Sequence, residues 1–454
     1  MMLTAKQSEA RGVRDTFEIF RKEQEPVPAV ILSFDGFAEA YDIVRSLGKQ
    51  NIYSIVASCQ KNNIASYSRF CNHIEVLPSV TGANDVQIVE TLVNLSKSLN
   101  VRPVLFYVSD PELALVGKFR ETLEQYYRFL LPDDDTLEKV FNKVHFIDFA
   151  HRHNFPVPVA RRFENSDELN SHLSEITFPC IVKPAFSSDW VWDTEEQREK
   201  FGKYKEALRR FTSIETLVEF CASLPQRPGG FLVQSYLDGR DDTITSFHGY
   251  FDEDSFCLGS FIGQKIRTYP PHTGGSVYIR TIHDYRLERN SIEYLQRIRF
   301  RGVVKIDYKW DASREEYKML EINPRYNLWE LLGSFAGVNL AALAYRHQTG
   351  VPTFSYEYDA DVRLLFLKQD LRAYLSGYRK NREWPFVRYC FSLVRKTHYR
   401  ILSGEDPLPF AVACAFFVRR NLGRLFRAIF SEQIARRVTL PQDGPLNFSS
   451  VKHS

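Results

Sequence analysis

The chain has 454 residues, 44% hydrophobic and 25% charged, an ordinary globular composition with room for about two to four domains. A formal net charge of +3 is too small to argue for nucleic acid, and none is expected as a partner. The seven cysteines are scattered with no Cys-x-x-Cys pair, which argues against a zinc site or a disulfide framework and fits reduced thiols in a cytoplasmic protein.

Residues 1 to about 25 read as a polar helix without an apolar segment of the signal-peptide kind, leading into Pro26 and Pro28. AVILSF (29–34) is a short apolar run, the mark of a buried strand. DGFAEAYDIVRSLGKQ follows with apolar residues at helical spacing and Gly48 placed to end it. Further strands are predicted in NIYSIVAS, HIEVLP and PVLFYVS, with a helix in NDVQIVETLVNLSKSL. Strands alternating with helices imply a parallel sheet covered by helices, an α/β unit over residues 1–127.

The pattern then changes. TLEKVFNKVHFIDFAHRH (136–153) reads as one amphipathic helix, FPCIVKPAF as a strand, SIETLVEFCASL as a helix, and a strand begins at Phe231. Residues 243–280 alternate like antiparallel strands. After a helix in SIEYLQRI, GVVKIDYKW and EYKMLEINPR read as two strands joined by the turn DASRE, with a helix after Trp329. This is an α+β unit over 128–354. Residues 355–454 form an aromatic, basic region read as a helical appendage, with fourteen Lys or Arg against four Asp or Glu between Arg372 and Val438. Its longest apolar run, 407–418, is short of the about 20 residues a membrane span needs. Three readings of it stay open: packing on the core, a homodimer contact, or peripheral membrane contact through 372–438, with aromatic residues in the headgroup layer and arginines on anionic lipid.

The chemistry concentrates in KIDYKWDASREEYKMLEINPR (305–325). Strand side chains repeat every two residues, so Glu321 and Asn323 share a face, and a hairpin can bring Asp307 to it. Two carboxylates and an amide oxygen are the hard donors magnesium takes. Lys305 shares the face of Asp307 and can neutralise a phosphate. Arg325 shares that of Asn323 and can hold a phosphate or carboxylate with a bidentate fork. Read blandly, the segment is a hairpin with surface charges.

GVVKIDYKWD…EYKMLEINPRYNLWELLGSFAGVNLAALAYRHQTG resembles the closing segment of ATP-grasp enzymes. The resemblance implies an ATP-grasp fold preceded by a small parallel α/β domain. It also implies ATP with magnesium, two ions by the family's pattern with manganese as a substitute, held by Asp307, Glu321 and Asn323. Lys143 in NKVHF and Lys183 in CIVKPA fall at the family's two phosphate-binding lysines. FLVQSYLDGRDDTIT matches its hinge: Gln234, which stands where glutamate is frequent, with Ser235, Tyr236 and Leu237 would face adenine. Asp241 or Asp242 would face ribose, Asp241 being favoured by spacing. The glycine-rich loop that many members carry after the second lysine is replaced by AFSSDWVWDTEEQREKFGKYKEAL, where Ser187 and Ser188 could cap phosphates or Trp190 and Trp192 could belong to a substrate lid. In QKIRTYPPHTGGSVYIRT, Lys265 and Arg267 alternate onto one face and could act together on the γ-phosphate or the acceptor carboxylate; His272 reads as a turn residue.

The segment SLGKQNIYSIVAS…ASYSRF resembles the domain preceding the grasp in carboxylate–amine ligases of the D-aspartate ligase type. Ser109 and Asp110, at the end of a predicted parallel strand, are candidates there by position. The implied reaction joins a small-molecule carboxylate to an amine through an acyl phosphate, releasing ADP and phosphate. Lys265, Arg267, Lys305 and Arg325 would be the catalytic cations. The alternative is an ATP-binding regulator or scaffold without turnover.

Overall fold

The computed structural model describes residues 27–34, 39–60, 63–80, 82–184, 210–224, 230–272, 274–351, 353, 357–394 and 396–419. The polar helix expected before Pro26, the stretch carrying Ser187, Ser188, Trp190 and Trp192, and the tail beyond Arg419 lie outside the described residues.

Three sheets organise the chain. The first has order β3-β2-β1-β4 and is parallel throughout, with β1 Ala29–Ser33, β2 Ser54–Ser58, β3 His73–Val76 and β4 Val104–Tyr107. Its crossovers include α1 Glu39–Gly48 and α2 Asp85–Leu99, and α3 Asp110–Lys118 follows β4. β1 and β4 are buried along their whole length, which is why they read as unbroken apolar runs. The chain winds outward from β1 to β3, then returns to β4 on the other side of β1. That places a crevice between the carboxyl ends of β1 and β4, the usual ligand position in open α/β sheets.

The expected single helix over 136–153 is two, α4 Asp134–Phe141 and α5 Lys143–Arg152. Asn142 stands between them in extended conformation, its side chain accepting from the N–H groups of Val144 and His145. An Asx cap of this kind starts a new helix more favourably than it sits inside an old one, and it puts Lys143 at the first position of α5.

The second sheet is antiparallel, β5-β7-β6, with β5 Ala160–Phe163, β6 Cys180–Pro184 and β7 Phe231–Ser235. With α6 Ile214–Ala222 it has its own core, including Phe163, Leu169, Val182, Leu217 and Phe220. The third sheet has seven strands in the order β12-β11-β8-β9-β10-β13-β14. These are β8 Ile244–Phe251, β9 Cys257–Tyr269, β10 Gly275–Ile282, β11 Gly302–Asp311, β12 Glu316–Asn323, β13 Arg363–Leu365 and β14 Thr397–Tyr399. Helices α7 Tyr285–Arg297, α8 Glu330–Ala336 and α9 Leu340–Gln348 complete this part.

Residues 363–406 are more than a helical appendage. β13 and β14 extend the large sheet, and α10 Leu367–Ala373 and α11 Phe386–Val394 pack beside it. Asp370 of α10 forms a fully buried bidentate pair with Arg267 of β9, at 2.6 and 2.9 Å. Arg400 grips Asp42 of α1 through Nε and Nη2, at 2.9 and 2.6 Å, while Asp406 accepts from Ser68 at 2.6 Å. The segment therefore fastens the parallel unit to the large sheet. One continuous apolar core runs from β1 and β4 through Trp329 and Leu332 to Tyr374 and Tyr389. Among the described residues no helix is long and apolar enough to cross a membrane.

Candidate active site

The antiparallel register of β11 and β12 sets Asp307 opposite Glu321 and Lys305 opposite Asn323. A strand pair in that register presents all four side chains on one face. Lys305 Nζ donates to Asp307 Oδ2 at 2.7 Å, Ser246 of β8 donates to Asp307 Oδ1, and Asn323 Nδ2 donates to Glu321 Oε1 at 3.1 Å. Burial opposes charge on Asp307, but Lys305 and Lys265 together outweigh it and hold the carboxyl well below its usual range. It is therefore an anion at any physiological pH. The bond from Asn323 Nδ2 leaves its Oδ1 as the remaining polar atom. Two carboxylates and an amide oxygen across adjacent strands are a donor set that suits magnesium, and these residues fit that ion.

Gly263 of β9 lies under Trp329, where a Cβ would come within 2.3 Å of the indole. The indole in turn stands 5.6 Å from Lys305 Nζ and confines that lysine to the acidic face.

From the three-stranded sheet, Lys183 of β6 donates to Gln234 Oε1 of β7 at 2.9 Å, so Gln234 orients the lysine. Desolvation pulls Lys183 down to about 8; Glu321 and Asp307 oppose that, and Lys143 adds to it. These four groups, from β6, α5, β11 and β12, feel one another's charge. In the hinge, Ser235 N–H and Tyr236 N–H are committed to the carbonyls of Val159 and Pro179, both at 2.8 Å. Leu237 follows directly after these two committed groups. Lys309 of β11 stands 5.2 Å from the Tyr236 ring and donates to Gly239 O at 3.4 Å.

Two expectations are corrected. Arg267 does not join Lys265. In the β9–β10 ladder Lys265 pairs with Ile279 but Arg267 pairs with Tyr278, so Ile266 is an extra residue, a bulge that breaks the two-residue alternation. Arg267 lies instead with Tyr278, fully buried, bound to Asp370 and to Ser392 Oγ at 3.0 Å, with Trp384 and Tyr389 over its guanidinium. Nor is Asp241 presented as an open carboxylate. It is 3% exposed, accepting from Thr268 Oγ1 at 3.0 Å and from Tyr378 OH. Asp242 is exposed beside Arg240, at 2.8 Å. His272 sits in the turn as expected, bound to Glu383 at 3.0 Å.

Arg325, just past β12, does not face the acidic pair alone. Its Nε donates to Asp110 Oδ1 at 2.5 Å, at the carboxyl end of β4. Desolvation disfavours its charge, but Asp110, Glu321 and Glu39 more than compensate and hold its pKa above the usual value. Ser246, Lys309, Trp329 and Tyr378 were not singled out from sequence. Ser246 reaches Asp307 through strand pairing and Tyr378 reaches Asp241 across 137 residues, so neither leaves a local signal.

No protein-family model matches the chain. It is 25% identical over 283 residues to a D-aspartate ligase from Enterococcus faecium, covering 59% of this chain and 64% of that one. The chain thus spans less than two thirds of that relative. Its fold matches a biotin carboxylase from Campylobacter jejuni, solved with a β,γ-ATP ligand, at a TM-score of 0.56 with 11% identity over 74% of both chains. It also matches an N5-carboxyaminoimidazole synthetase from Staphylococcus aureus complexed with ADP, at 0.56 with 13% identity over 80% of this chain and 88% of that one. With a parallel α/β unit, a small antiparallel sheet carrying Lys183 and a large sheet carrying Asp307 and Glu321, the chain has an ATP-grasp fold.

Proposed function

We propose that the protein is an ATP-dependent ligase that joins a carboxylate to an amine and releases ADP and phosphate. The observation that carries this reading is the shared face of Lys305, Asp307, Glu321 and Asn323, within electrostatic reach of Lys183 and Lys143. A triphosphate brings about four negative charges, and fixed cations near a dry acidic face both hold it and favour charge movement within it. The similarity to a D-aspartate ligase supports the same class of reaction.

Asp307, Glu321 and Asn323 would hold magnesium, two ions by the family's pattern with manganese able to replace them, and the metal supplies charge neutralisation on the phosphate oxygens. Lys143 and Lys183 would grip the phosphates, with Gln234 holding Lys183 in place. Leu237 would offer its backbone to adenine. Asp242, rather than the buried Asp241, is open to take the ribose hydroxyls. A substrate carboxylate oxygen would attack the γ-phosphorus, forming an acyl phosphate as the bond to ADP breaks. The amine nitrogen would then attack the acyl carbon, with phosphate leaving and the amine proton passing to solvent. Lys265 and Lys305 would stabilise charge on the transferring group. Arg325, held at the crevice by Asp110, would bind the carboxylate or the acyl phosphate.

The test is an amine and carboxylate screen for ATP consumption, with Glu321→Ala as control. ADP release that needs both substrates, with hydroxamate formed when hydroxylamine replaces the amine, supports the reading. Release of AMP and pyrophosphate, or tight ATP binding with no turnover on any pair, refutes it.

A further inference from the structure

Helices α10 and α11 and the helical residues 408–419 share one surface. Lys368 of α10 stands 5.0 Å from the Phe417 ring, and Tyr374, just after α10, stacks on Tyr389 of α11 at 3.8 Å. The inward side of this layer is spoken for: Asp370, Tyr374, Tyr389 and Ser392 are buried against the sheet. The outward side is apolar. Leu367, Leu371 and Leu375 recur every fourth residue and are 39–48% exposed, and on α11 Val387, Phe391 and Val394 form a second stripe that is 64%, 69% and 77% exposed. A stripe of large apolar side chains left in water at this level is unusual for a globular surface.

The same surface is charged with one sign. Lys368, Arg372, Arg379, Lys380, Arg382 and Arg388 are exposed on or beside these helices. Among the described residues of 367–419, the one exposed acidic side chain is Glu405, which pairs with Lys49 of the parallel unit. Apolar stripes rimmed by cations match the interface of an anionic bilayer, where acyl chains accept Phe, Leu and Val while lipid phosphates accept Lys and Arg. A second copy of the same face would bring like charges together, which opposes an isologous contact. A nucleic acid would satisfy the cations but give the leucine and valine stripes no partner.

We infer that this face is a peripheral docking surface for an anionic lipid bilayer. It holds the protein by shallow burial of the α10 and α11 stripes plus charge attraction, with no segment crossing. None of the residues of this face is among those proposed to hold the nucleotide, so the inference stands or falls independently of the ligase reading.

The experiment is flotation of the full chain with vesicles of phosphatidylcholine alone and of phosphatidylcholine with about 30 mol% phosphatidylglycerol. Two variants are compared, Phe391→Ser/Val394→Ser and Arg379→Glu/Lys380→Glu/Arg382→Glu, whose replaced side chains are exposed; unchanged thermal unfolding certifies the fold. The chain is expected to float with the phosphatidylglycerol vesicles and not with phosphatidylcholine alone, and each variant is expected to partition at least about tenfold more weakly. Failure to float, equal flotation of the variants, or equal flotation with both vesicle types overturns the proposal. So does self-association, or binding to an RNA homopolymer, that the variants abolish while no vesicle is bound.

Discussion

Arg325 and Asp110 are 215 residues apart in sequence and meet at 2.5 Å, joining the end of β12 to the mouth of the parallel sheet. The carboxylate does not quench the arginine, because only part of the guanidinium fork is engaged by it and the remaining N–H groups include one directed to Tyr326 O at 3.3 Å. The pair fixes where the fork points.

Asp110→Asn should therefore loosen Arg325 without emptying the nucleotide site. The expected outcome is a fall in kcat/KM for the carboxylate of about tenfold, with KM for ATP changed less than about twofold. Steady-state kinetics with each substrate varied in turn will check this split.

Replacing the acidic pair should separate binding from turnover. Glu321→Ala and Asp307→Asn are expected to lower kcat by at least about 10²–10³-fold, the cost typical of losing an electrostatic group aimed at a transferring charge. Circular dichroism and nucleotide titration, run beside the ADP assay, will show whether the folded variants still bind ATP.

Nucleotide affinity should depend on pH through Lys183. Free, the lysine titrates at about 8, and bound phosphate favours its charged form, so its pKa rises in the complex. Between those two values binding takes up a proton, and ATP affinity falls as pH rises above about 8. Lys183→Met should bind more weakly and lose most of this slope, as isothermal titration across pH 7 to about 9.5 would reveal.

Glu330 gives a pH dependence of the same sign, in stability. It is fully enclosed in the core; burial pushes its carboxyl up to about 8, aided by Asp42, while a hydrogen bond from the Asn327 backbone opposes this. The unfolded chain would ionise near 4.5. The folded state therefore holds the extra proton between those values, and stability is full below about 4.5 and lost as pH rises through about 8. Glu330→Gln should remove this component, worth at most a few kcal/mol, in urea unfolding at acid, neutral and alkaline pH.

Asp370→Ala should destabilise by about 3–5 kcal/mol, because it strands the guanidinium of Arg267 in the core. Changing both residues to apolar ones of similar size should recover much of that loss. Thermal unfolding of the single and double variants will distinguish the two.

The acidic hairpin was legible because period-two spacing is local: Lys305 and Asp307, or Glu321 and Asn323, declare a shared face from sequence alone. Three of the four parallel strands, β1, β2 and β4, were legible for a similar reason, their full burial leaving short runs with few charged residues. What was hidden depends on residues far apart or on one irregular position. Asn142 splits a helix whose apolar spacing runs straight through it. Asp241 has the spacing of a ribose ligand, yet Tyr378, from a segment read as an appendage, claims it. Residues 363–365 and 397–399 are too short to announce strands; the first becomes one only against β10 and the second only against the first.

The extra residue Ile266 decides what two neighbouring cations do. With it, Lys265 keeps its charge within reach of Asp307 while Arg267 turns to Asp370. Were Ile266 paired in a regular pleat instead of bulged, Lys265 and Arg267 would share one face and Asp370 would lose its buried partner. One bulged residue thus settles which of two neighbouring cations is committed to a buried ion pair.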